Sequence, residues 1–185
     1  MKNTVLIFCL MAGYLVLFFQ LGAMPFYGAD EPRYAQIGQE MLQGGDYITP
    51  TLQQRPWLEK PPLLYWMEAG GYRLLGFTET AARFPNALLA LAAALLAGFL
   101  GWRVTRDAWT GVFAYLVLLS SLVFIVFGRA ASTDMALTGP YALMLVAAFL
   151  AVEADALPWA MLAGCGGALA VLAKGPVGLV LGAGT

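Results

Sequence analysis

The chain has 185 residues, of which 61% are hydrophobic and 11% are charged, and its formal net charge at pH 7 is −1. This composition is typical of integral membrane proteins and excludes an ordinary soluble domain. The near-neutral charge offers no basic surface for nucleic acid. The sequence contains no histidine, which removes the commonest metal ligand and general base.

Hydrophobic runs that approach the roughly 18–20 residues needed to cross a bilayer as a helix recur along the chain. The first covers about 4–24 and exceeds a typical signal-peptide core, so we interpret it as a retained helix or signal anchor. The others follow a long polar stretch, at about 80–102, 109–128, 135–152 and 159–173, with a partial run over 177–185. The partial run is too short to span a membrane, which favours a fragment of a longer polytopic protein over a half-crossing.

The polar stretch over 25–79 contains most of the acidic residues of the chain. Charge next to hydrocarbon is costly, so a membrane protein that concentrates charge in one loop is usually building a site there. Asp30 is predicted to be the N-cap of a short helix that has Pro32 in its first turn and stops at Gly44 and Gly45. Apolar residues at helical spacing predict that this helix is amphipathic and lies on the membrane surface.

The second half of this loop contains another predicted helix. The segment over 46–57 carries two prolines and is predicted to be extended. Pro61 and Pro62 then begin a helix that ends near Gly76 and whose Leu, Tyr and Trp side chains suit the membrane interface. The pattern predicts an all-α polytopic membrane protein with amphipathic juxtamembrane helices in a large first outer loop. We expect 1–185 to be one N-terminal portion of a transmembrane domain, with its C-terminal remainder absent.

The short loops predict the orientation of the chain in the membrane. Arg103 and Arg106 flank the turn after the second hydrophobic run and Lys2 precedes the first, so the positive-inside tendency places them in the cytoplasm. The large loop and the turns over 129–134 and 174–176 then face outward. The total count of Lys and Arg opposes this assignment, because more of them would lie outside than inside. The positive-inside rule applies less to long loops, and an outward excess of cations suits binding of an anionic lipid head group. The outward cations would be Arg33, Arg55, Lys60, Arg73, Arg83, Arg129 and Lys174.

Under this topology, charged side chains of both signs reach one face of the bilayer. Cations at that depth can neutralise a departing phosphate, and a carboxylate can take a proton from an acceptor, as group transfer from a phosphate-activated lipid requires. On spacing alone, snorkelling and loop-capping charges explain the pattern equally well. The residues concerned are Asp30, Glu31, Arg33, Glu59, Lys60, Arg129, Asp134 and Lys174.

Five short motifs follow one another on these loops. They are Asp30-Glu31-Pro32-Arg33-Tyr34-Ala35, Glu59-Lys60-Pro61-Pro62-Leu63-x-Tyr65-Trp66, Ala82-Arg83-Phe84-Pro85, Arg129-x-x-x-x-Asp134-Met135 and Lys174-Gly175-Pro176. Together they closely resemble the N-terminal part of the ArnT-like branch of the dolichyl-phosphate-mannose-protein mannosyltransferase superfamily. The resemblance implies a GT-C membrane glycosyltransferase that transfers a sugar from a polyprenyl-phosphate donor to a lipid or glycan acceptor. Lipid A is one of the acceptors that this resemblance implies. The resemblance also implies the bacterial inner membrane as location, with the active face periplasmic.

The same resemblance implies roles for individual residues. Asp30 would be the catalytic carboxylate, with Glu31 beside it and Tyr34 in support. Lys60 would bind the donor phosphate, and Glu59 would lie close to a divalent metal ion or the head group. The resemblance further implies an anion site and a supporting carboxylate formed by Arg33, Arg129, Lys174 and Asp134.

Two other functions are compatible with these residues. A polyprenyl-phosphate carrier, transporter or binding protein would also need outward cations, although the hydrophobic runs here lack the midplane charges common in transporters. An inactive truncated product is the second alternative. Arg83 is interpreted as an anchor at the boundary of the second membrane helix rather than as a ligand.

Overall fold

A computed structural model of the protein describes residues 2–177 and 180. In this part, the chain forms helices connected by short loops and one small hairpin. The predicted partial run over 177–185 lies almost wholly outside the described residues. The elements are α1 (Lys2–Leu17), α2 (Asp30–Gly44), β1 (Thr51–Leu52), β2 (Arg55–Pro56), α3 (Leu63–Leu75), α4 (Glu79–Thr105), α5 (Ala108–Ser120), α6 (Leu122–Gly128), α7 (Thr133–Ala154) and α8 (Leu157–Lys174).

Three helices of the described chain, α4, α7 and α8, are long and apolar enough to cross a membrane. The run over 109–128, predicted as one helix, is divided into α5 and α6, which meet at an angle of 71° and make a fourth crossing only as a bent pair. The break is at Ser121, whose extended backbone (φ −69°, ψ 118°) interrupts the helical hydrogen bonding. Hydropathy alone carries no information about such a break.

The first helix is shorter than predicted, because α1 ends at Leu17 and the backbone then turns. The guanidinium of Arg129 donates hydrogen bonds to the carbonyl oxygens of Val16 at 2.9 Å and Phe19 at 3.0 Å. The last carbonyl groups of a helix have no partner within the helix. Arg129 supplies that partner, and Gln20, with a positive φ of 52°, redirects the chain.

The first helix of the polar loop differs from its prediction in two ways. Asp30 is the first residue of α2 rather than its N-cap, a position that Ala29 occupies. The apolar face of α2 also does not lie on lipid, since Tyr34, Ile37 and Met41 are at most 4% exposed. They are buried against α3 and against residues of α7 and α8, which cover this face within the protein.

One carboxylate attaches the β-hairpin to α2. Glu40 accepts hydrogen bonds from the side chains of Gln36 and Thr51 and from the backbone N–H groups of Gln53 and Gln54, at 2.8–3.1 Å. Burial by itself would raise the pKa of Glu40, but these hydrogen bonds hold it below its ordinary value. The contact fixes where the chain leaves the hairpin and enters the Glu-Lys-Pro-Pro motif.

Helix α4 packs at its two ends in different ways. Near its C-terminal end it meets α5 at backbone contact, since a Cβ on Gly111 would lie 2.7 Å from the carbonyl oxygen of Gly98. At the same end, an ion pair of 2.9 Å joins Arg103 to Glu153 of α7. The opposite end of α4 contributes polar side chains to the region where the loops with the predicted site residues converge.

Glu68 on α3 is a fully buried carboxyl group. Its side chain is 0% exposed, and neither carboxyl oxygen has a hydrogen-bond partner among the described residues. Gly38 of α2 packs directly on it, because a Cβ at Gly38 would lie 2.7 Å from the Glu68 Cβ. Burial, assisted by the negative charge of Glu31, raises the pKa of Glu68 well above its usual range. The α2–α3 interface therefore holds a neutral carboxylic acid.

Replacing Glu68 with Gln is expected to flatten the dependence of stability on pH. Because the folded pKa exceeds the unfolded one, the Glu68 contribution is complete below the unfolded pKa and is lost as the pH rises through the folded pKa. Within that window the unmodified protein should lose about 1.4 kcal/mol of unfolding free energy per pH unit relative to Glu68→Gln.

Thermal unfolding in detergent, from about pH 5 to about pH 8, compares the two proteins across the start of this window. Asp155→Asn serves as the control, since Asp155 is an exposed carboxylate at the other end of the bundle. An equally steep fall in the Glu68→Gln protein would assign the pH dependence to another group.

Candidate active site

All predicted site residues except Arg33 line two cavities at one end of the helix bundle. The first, of about 440 Å³, lies between the start of α2 and the loop from α6 to α7. We call it the carboxylate cavity, and its lining includes Asp30, Glu31, Tyr34, Arg129 and Asp134. The second, of about 560 Å³, lies between the chain before α3 and the end of α8. We call it the lysine cavity, and its lining includes Glu59, Lys60 and Lys174.

Ion pairs connect the two cavities. Arg33 Nη1 lies 3.3 Å from Asp30 Oδ1 and 4.0 Å from Glu59 Oε2, so this guanidinium lies between a carboxylate of each cavity. Lys174 Nζ donates a 2.5 Å hydrogen bond to Asp134 Oδ1. Cations of this end of the bundle are therefore shared between the cavities, which adjoin one another.

Asp30 is the most accessible of the carboxylates in these pairs. Its side chain is 68% exposed, against 47% for Glu59 and 41% for Asp134. Its ion pair with Arg33 is solvent-exposed, and such pairs contribute little free energy. A position in the first turn of α2 also favours its negative charge through the helix dipole. Asp30 is thus an accessible carboxylate that can be reached from the cavity.

Tyr34 lies beneath these charges. It is 4% exposed, and its ring packs against that of Tyr65 with centroids 6.0 Å apart. Burial, together with the negative charges of Asp30 and Glu59, raises the pKa of Tyr34. The phenol stays protonated at neutral pH and can donate a hydrogen bond.

Glu31 occupies a different environment from its neighbour Asp30. Its side chain is 8% exposed and forms an ion pair of 2.8 Å with Arg83 of α4. Burial alone would raise the pKa of Glu31, but the hydrogen bonds from Arg83 and from two backbone N–H groups hold it below its usual value. Arg83, interpreted from the sequence as a boundary anchor, is therefore a buried partner of the Asp-Glu motif.

Asn86 is a site-forming residue that the sequence reasoning missed. It lies on α4 one turn after Arg83, is fully buried, and donates hydrogen bonds to the carbonyl oxygens of Ala130 at 2.7 Å and Ser132 at 2.8 Å. These bonds fix the α6–α7 loop, which forms one wall of the carboxylate cavity. The sequence did contain one signal for Asn86, which is an amide within an Ala- and Leu-rich membrane helix. Burying a polar group there is energetically unfavourable unless the group has a function or a partner.

Arg129 lines the carboxylate cavity but directs its donors elsewhere. Besides Val16 and Phe19, its guanidinium contacts the carbonyl oxygen of Gln20 at 3.4 Å. This arrangement commits both terminal nitrogens to the end of α1. Arg33, Lys60 and Lys174 face the partly exposed carboxylates of the two cavities, and Arg83 pairs with the buried Glu31.

Glu59 does not have the surroundings of a metal ligand. Its carboxylate lies 3.8 Å from Lys60 Nζ and 4.0 Å from Arg33 Nη1, so its nearest charged neighbours are cations. Among the described residues, no group of three or more acidic, cysteine or histidine side chains is arranged to hold a metal ion. A divalent cation needs several oxygen ligands, and the residues around Glu59 do not fit one.

Comparison with known proteins decides the family. A family model described as "Dolichyl-phosphate-mannose-protein mannosyltransferase" matches residues 59–185. The chain belongs to this family. The match begins at Glu59 and so includes the Glu-Lys-Pro-Pro motif and Lys174, and it confirms the resemblance drawn from the motifs.

Relatives from bacteria extend the similarity beyond the residues that the family model matches. An uncharacterised protein of Aquifex aeolicus (strain VF5) is 34% identical over 172 residues, which are 92% of this chain and 34% of that protein. The "Undecaprenyl phosphate-alpha-4-amino-4-deoxy-L-arabinose arabinosyl transferase" of Pectobacterium carotovorum subsp. carotovorum (strain PC1) is 37% identical over 114 residues, which are 59% of this chain and 20% of that protein. The chain thus spans a third or less of the length of these relatives.

Solved structures agree with the family assignment. ArnT from Cupriavidus metallidurans in the apo state superposes with a TM-score of 0.91 and 28% identity, over 98% of this chain and 35% of ArnT. The same ArnT bound to undecaprenyl phosphate gives a TM-score of 0.90 over 34% of its length. The prediction of an all-α polytopic GT-C membrane fold is confirmed.

Proposed function

We propose that this protein takes part in transfer of a sugar from a polyprenyl-phosphate donor to a cell-envelope acceptor. The observation that carries the proposal is the contact between the carboxylate cavity and the lysine cavity at one end of the bundle. A glycosyl transfer needs two kinds of group close together. Cations stabilise the leaving phosphate, and a carboxylate binds the acceptor or takes its proton.

The lysine cavity is the proposed donor site. Lys60 and Lys174 both line it, and each is about 30% exposed, so each ammonium group is partly desolvated and accessible. Ammonium groups bind phosphate through charge-assisted hydrogen bonds. The similar ArnT structure with bound undecaprenyl phosphate supports a lipid phosphate of this class as the ligand. Glu59 is proposed to orient Lys60 and Arg33 rather than to bind a metal.

The carboxylate cavity is the proposed acceptor site. The acceptor oxygen bonds to the anomeric carbon of the sugar while the bond from that carbon to the phosphate oxygen breaks. With a hydroxyl acceptor, Asp30 takes the proton, and the polyprenyl phosphate leaves with its charge neutralised by Lys60. With a phosphate acceptor there is no proton to take, and Asp30 positions the acceptor. Tyr34 donates a hydrogen bond, and Asp134 holds Lys174 in place.

The identity of the sugar and acceptor rests on the named relatives. Transfer of 4-amino-4-deoxy-L-arabinose, named for the Pectobacterium relative, to a lipid A acceptor is the proposed reaction. A hexose donor and another lipid or glycan acceptor are the alternatives within the same chemistry. The proposed location is the bacterial inner membrane, with both cavities on the periplasmic side and Arg103 on the cytoplasmic side.

The experiment uses the protein expressed from its complete reading frame and purified in detergent. It is incubated with undecaprenyl-phosphate sugar carrying a radiolabel in the sugar, together with lipid A. The expected result is label in the lipid A fraction and release of undecaprenyl phosphate. Saturable donor binding without release would instead favour a polyprenyl-phosphate carrier, and neither binding nor release would favour an inactive product.

A further inference from the structure

The most completely bonded polar cluster of the described chain lies directly beneath the carboxylate cavity. We propose that Glu31 and Arg83 are positioning residues that hold Asp30 in place, and that Glu31 takes no part in proton transfer. The inference rests on the proposed catalytic role of Asp30. It assigns different roles to the two adjacent acidic residues of the Asp-Glu motif, which the sequence resemblance places together in the active site.

Every hydrogen-bonding position of Arg83 is used within the protein. Nε donates to Glu31 Oε1 at 3.0 Å and Nη2 donates to Glu31 Oε2 at 2.8 Å, so the pair is bidentate. The other donors bind the carbonyl oxygens of Leu21 at 3.1 Å, Met24 at 2.7 Å and Pro25 at 3.0 Å. A guanidinium has five N–H donors, and these five bonds account for all of them.

Glu31 is equally saturated. Besides the two bonds from Arg83, its Oε2 accepts from the backbone N–H of Tyr27 and its Oε1 from that of Ala131, both at 2.8 Å. A carboxylate offers about four acceptor positions, and all are occupied. A base must have a lone pair directed at the proton it removes, so Glu31 cannot serve without first breaking this cluster.

The cluster joins four segments that form the carboxylate cavity. They are the chain after α1, the first turn of α2, the outer end of α4 and the α6–α7 loop. Asn86 completes the connection, since it binds the carbonyl groups on either side of Ala131. Asp30 directly precedes Glu31 and Asp134 follows this loop closely, so the two other carboxylates that line the cavity are set by residues of this cluster.

Lysine cannot reproduce this arrangement, although it preserves the charge. Arg83→Lys replaces a planar fork of five donors by a single ammonium group. Glu31→Gln keeps the shape of the side chain but replaces one acceptor oxygen by an NH₂ donor. That donor would face N–H groups that also donate, so those hydrogen bonds would be lost. Either change is expected to displace the first turn of α2. Misplacement of a reacting group by about 1 Å costs about 100-fold in rate.

The test measures kcat and donor KM for sugar transfer to a hydroxyl acceptor in variants of the full reading frame. Glu31→Gln and Arg83→Lys are expected to lower kcat about 100-fold with donor KM unchanged, because neither residue lines the lysine cavity, where Lys60 and Lys174 lie. Arg103→Lys is the matched control, since it makes the same change in the Arg103–Glu153 pair at the opposite end and should leave kcat unchanged. If Arg83→Lys does not purify as a monodisperse protein, Glu31→Gln carries the test.

Combination with Asp30→Asn distinguishes a positioning role from other roles. If Glu31 acts through Asp30, adding Glu31→Gln to Asp30→Asn produces no further loss of kcat, because the group being positioned is already gone. An equal loss in both backgrounds, or normal kcat in Glu31→Gln alone, overturns the inference. Normal kcat in Asp30→Asn alone is a different failure, since it overturns the proposed catalytic role of Asp30 and the positioning inference with it.

Discussion

Asp30→Asn is expected to reduce transfer to a hydroxyl acceptor by about 100- to 10,000-fold, the range that general-base catalysis supplies. The amide keeps the size of the side chain and can still accept a hydrogen bond from Arg33, but it cannot take up a proton. The side chain of Asp30 is 68% exposed, and substitutions at exposed positions usually change stability little, so the loss would not come from a folding defect. Turnover with a radiolabelled donor gives the measurement.

Two comparisons make the Asp30 result specific. Asp155→Asn removes an exposed carboxylate at the end of the bundle opposite the two cavities, where the residue has a left-handed φ of 46° that Asn tolerates, and it should leave turnover unchanged. With a phosphate acceptor, the Asp30→Asn loss should be much smaller, because such an acceptor has no proton to give. Near-normal turnover with the hydroxyl acceptor would eliminate Asp30 as the base.

The convergence of distant loops on one end of the bundle was predictable from the sequence. Alternating crossings place the loops that carry Asp30, Lys60, Asp134 and Lys174 on one side of the membrane, and a 2.5 Å hydrogen bond indeed joins Asp134 to Lys174. The helices of the polar loop were predictable for local reasons. Gly45, for example, ends α2 in the left-handed conformation that favours glycine.

The partners of the buried charges were not predictable. Arg83 and Glu31 are 52 positions apart, and Arg129 binds a carbonyl group 113 positions away. Local spacing identifies a polar residue in an apolar environment but not the group that satisfies it. For this reason the sequence led us to interpret Arg83 as a boundary anchor and Arg129 as an anion ligand. In the structure, both residues direct their hydrogen-bond donors to other parts of the protein.

The apolar surfaces have a similar limit. An amphipathic pattern such as that of α2 shows that one face avoids water, but lipid and protein satisfy it equally well. In the structure, the apolar face of α2 packs against other helices of the protein, and Ile37 on that face is 0% exposed. In the same way, the hydrophobic run over 109–128 contains no polar interruption strong enough to reveal the break at Ser121.

Lys60→Gln is expected to weaken use of the donor by about 10- to 100-fold in kcat/KM, since a hydrogen bond to a charged group contributes about 1.5–3 kcal/mol. Lys60 lines the lysine cavity, and its nearest carboxylate, Glu59, is 3.8 Å away, too far for a strong competing hydrogen bond. The ammonium is therefore available to a phosphate. Part of the loss should appear in kcat, because the phosphate gains charge as the glycosidic bond breaks.

The control for Lys60 is Arg55→Gln, which removes another exposed cation of the same loop. Arg55 lies on β2, outside the residues that line the lysine cavity, so donor KM should not change. Lys60→Arg should recover part of the activity, since a guanidinium also binds phosphate but with a different reach. If Lys60→Gln and Arg55→Gln behave alike, Lys60 contributes only to the general field of the loop, and the phosphate must bind Lys174 and Arg33 without it.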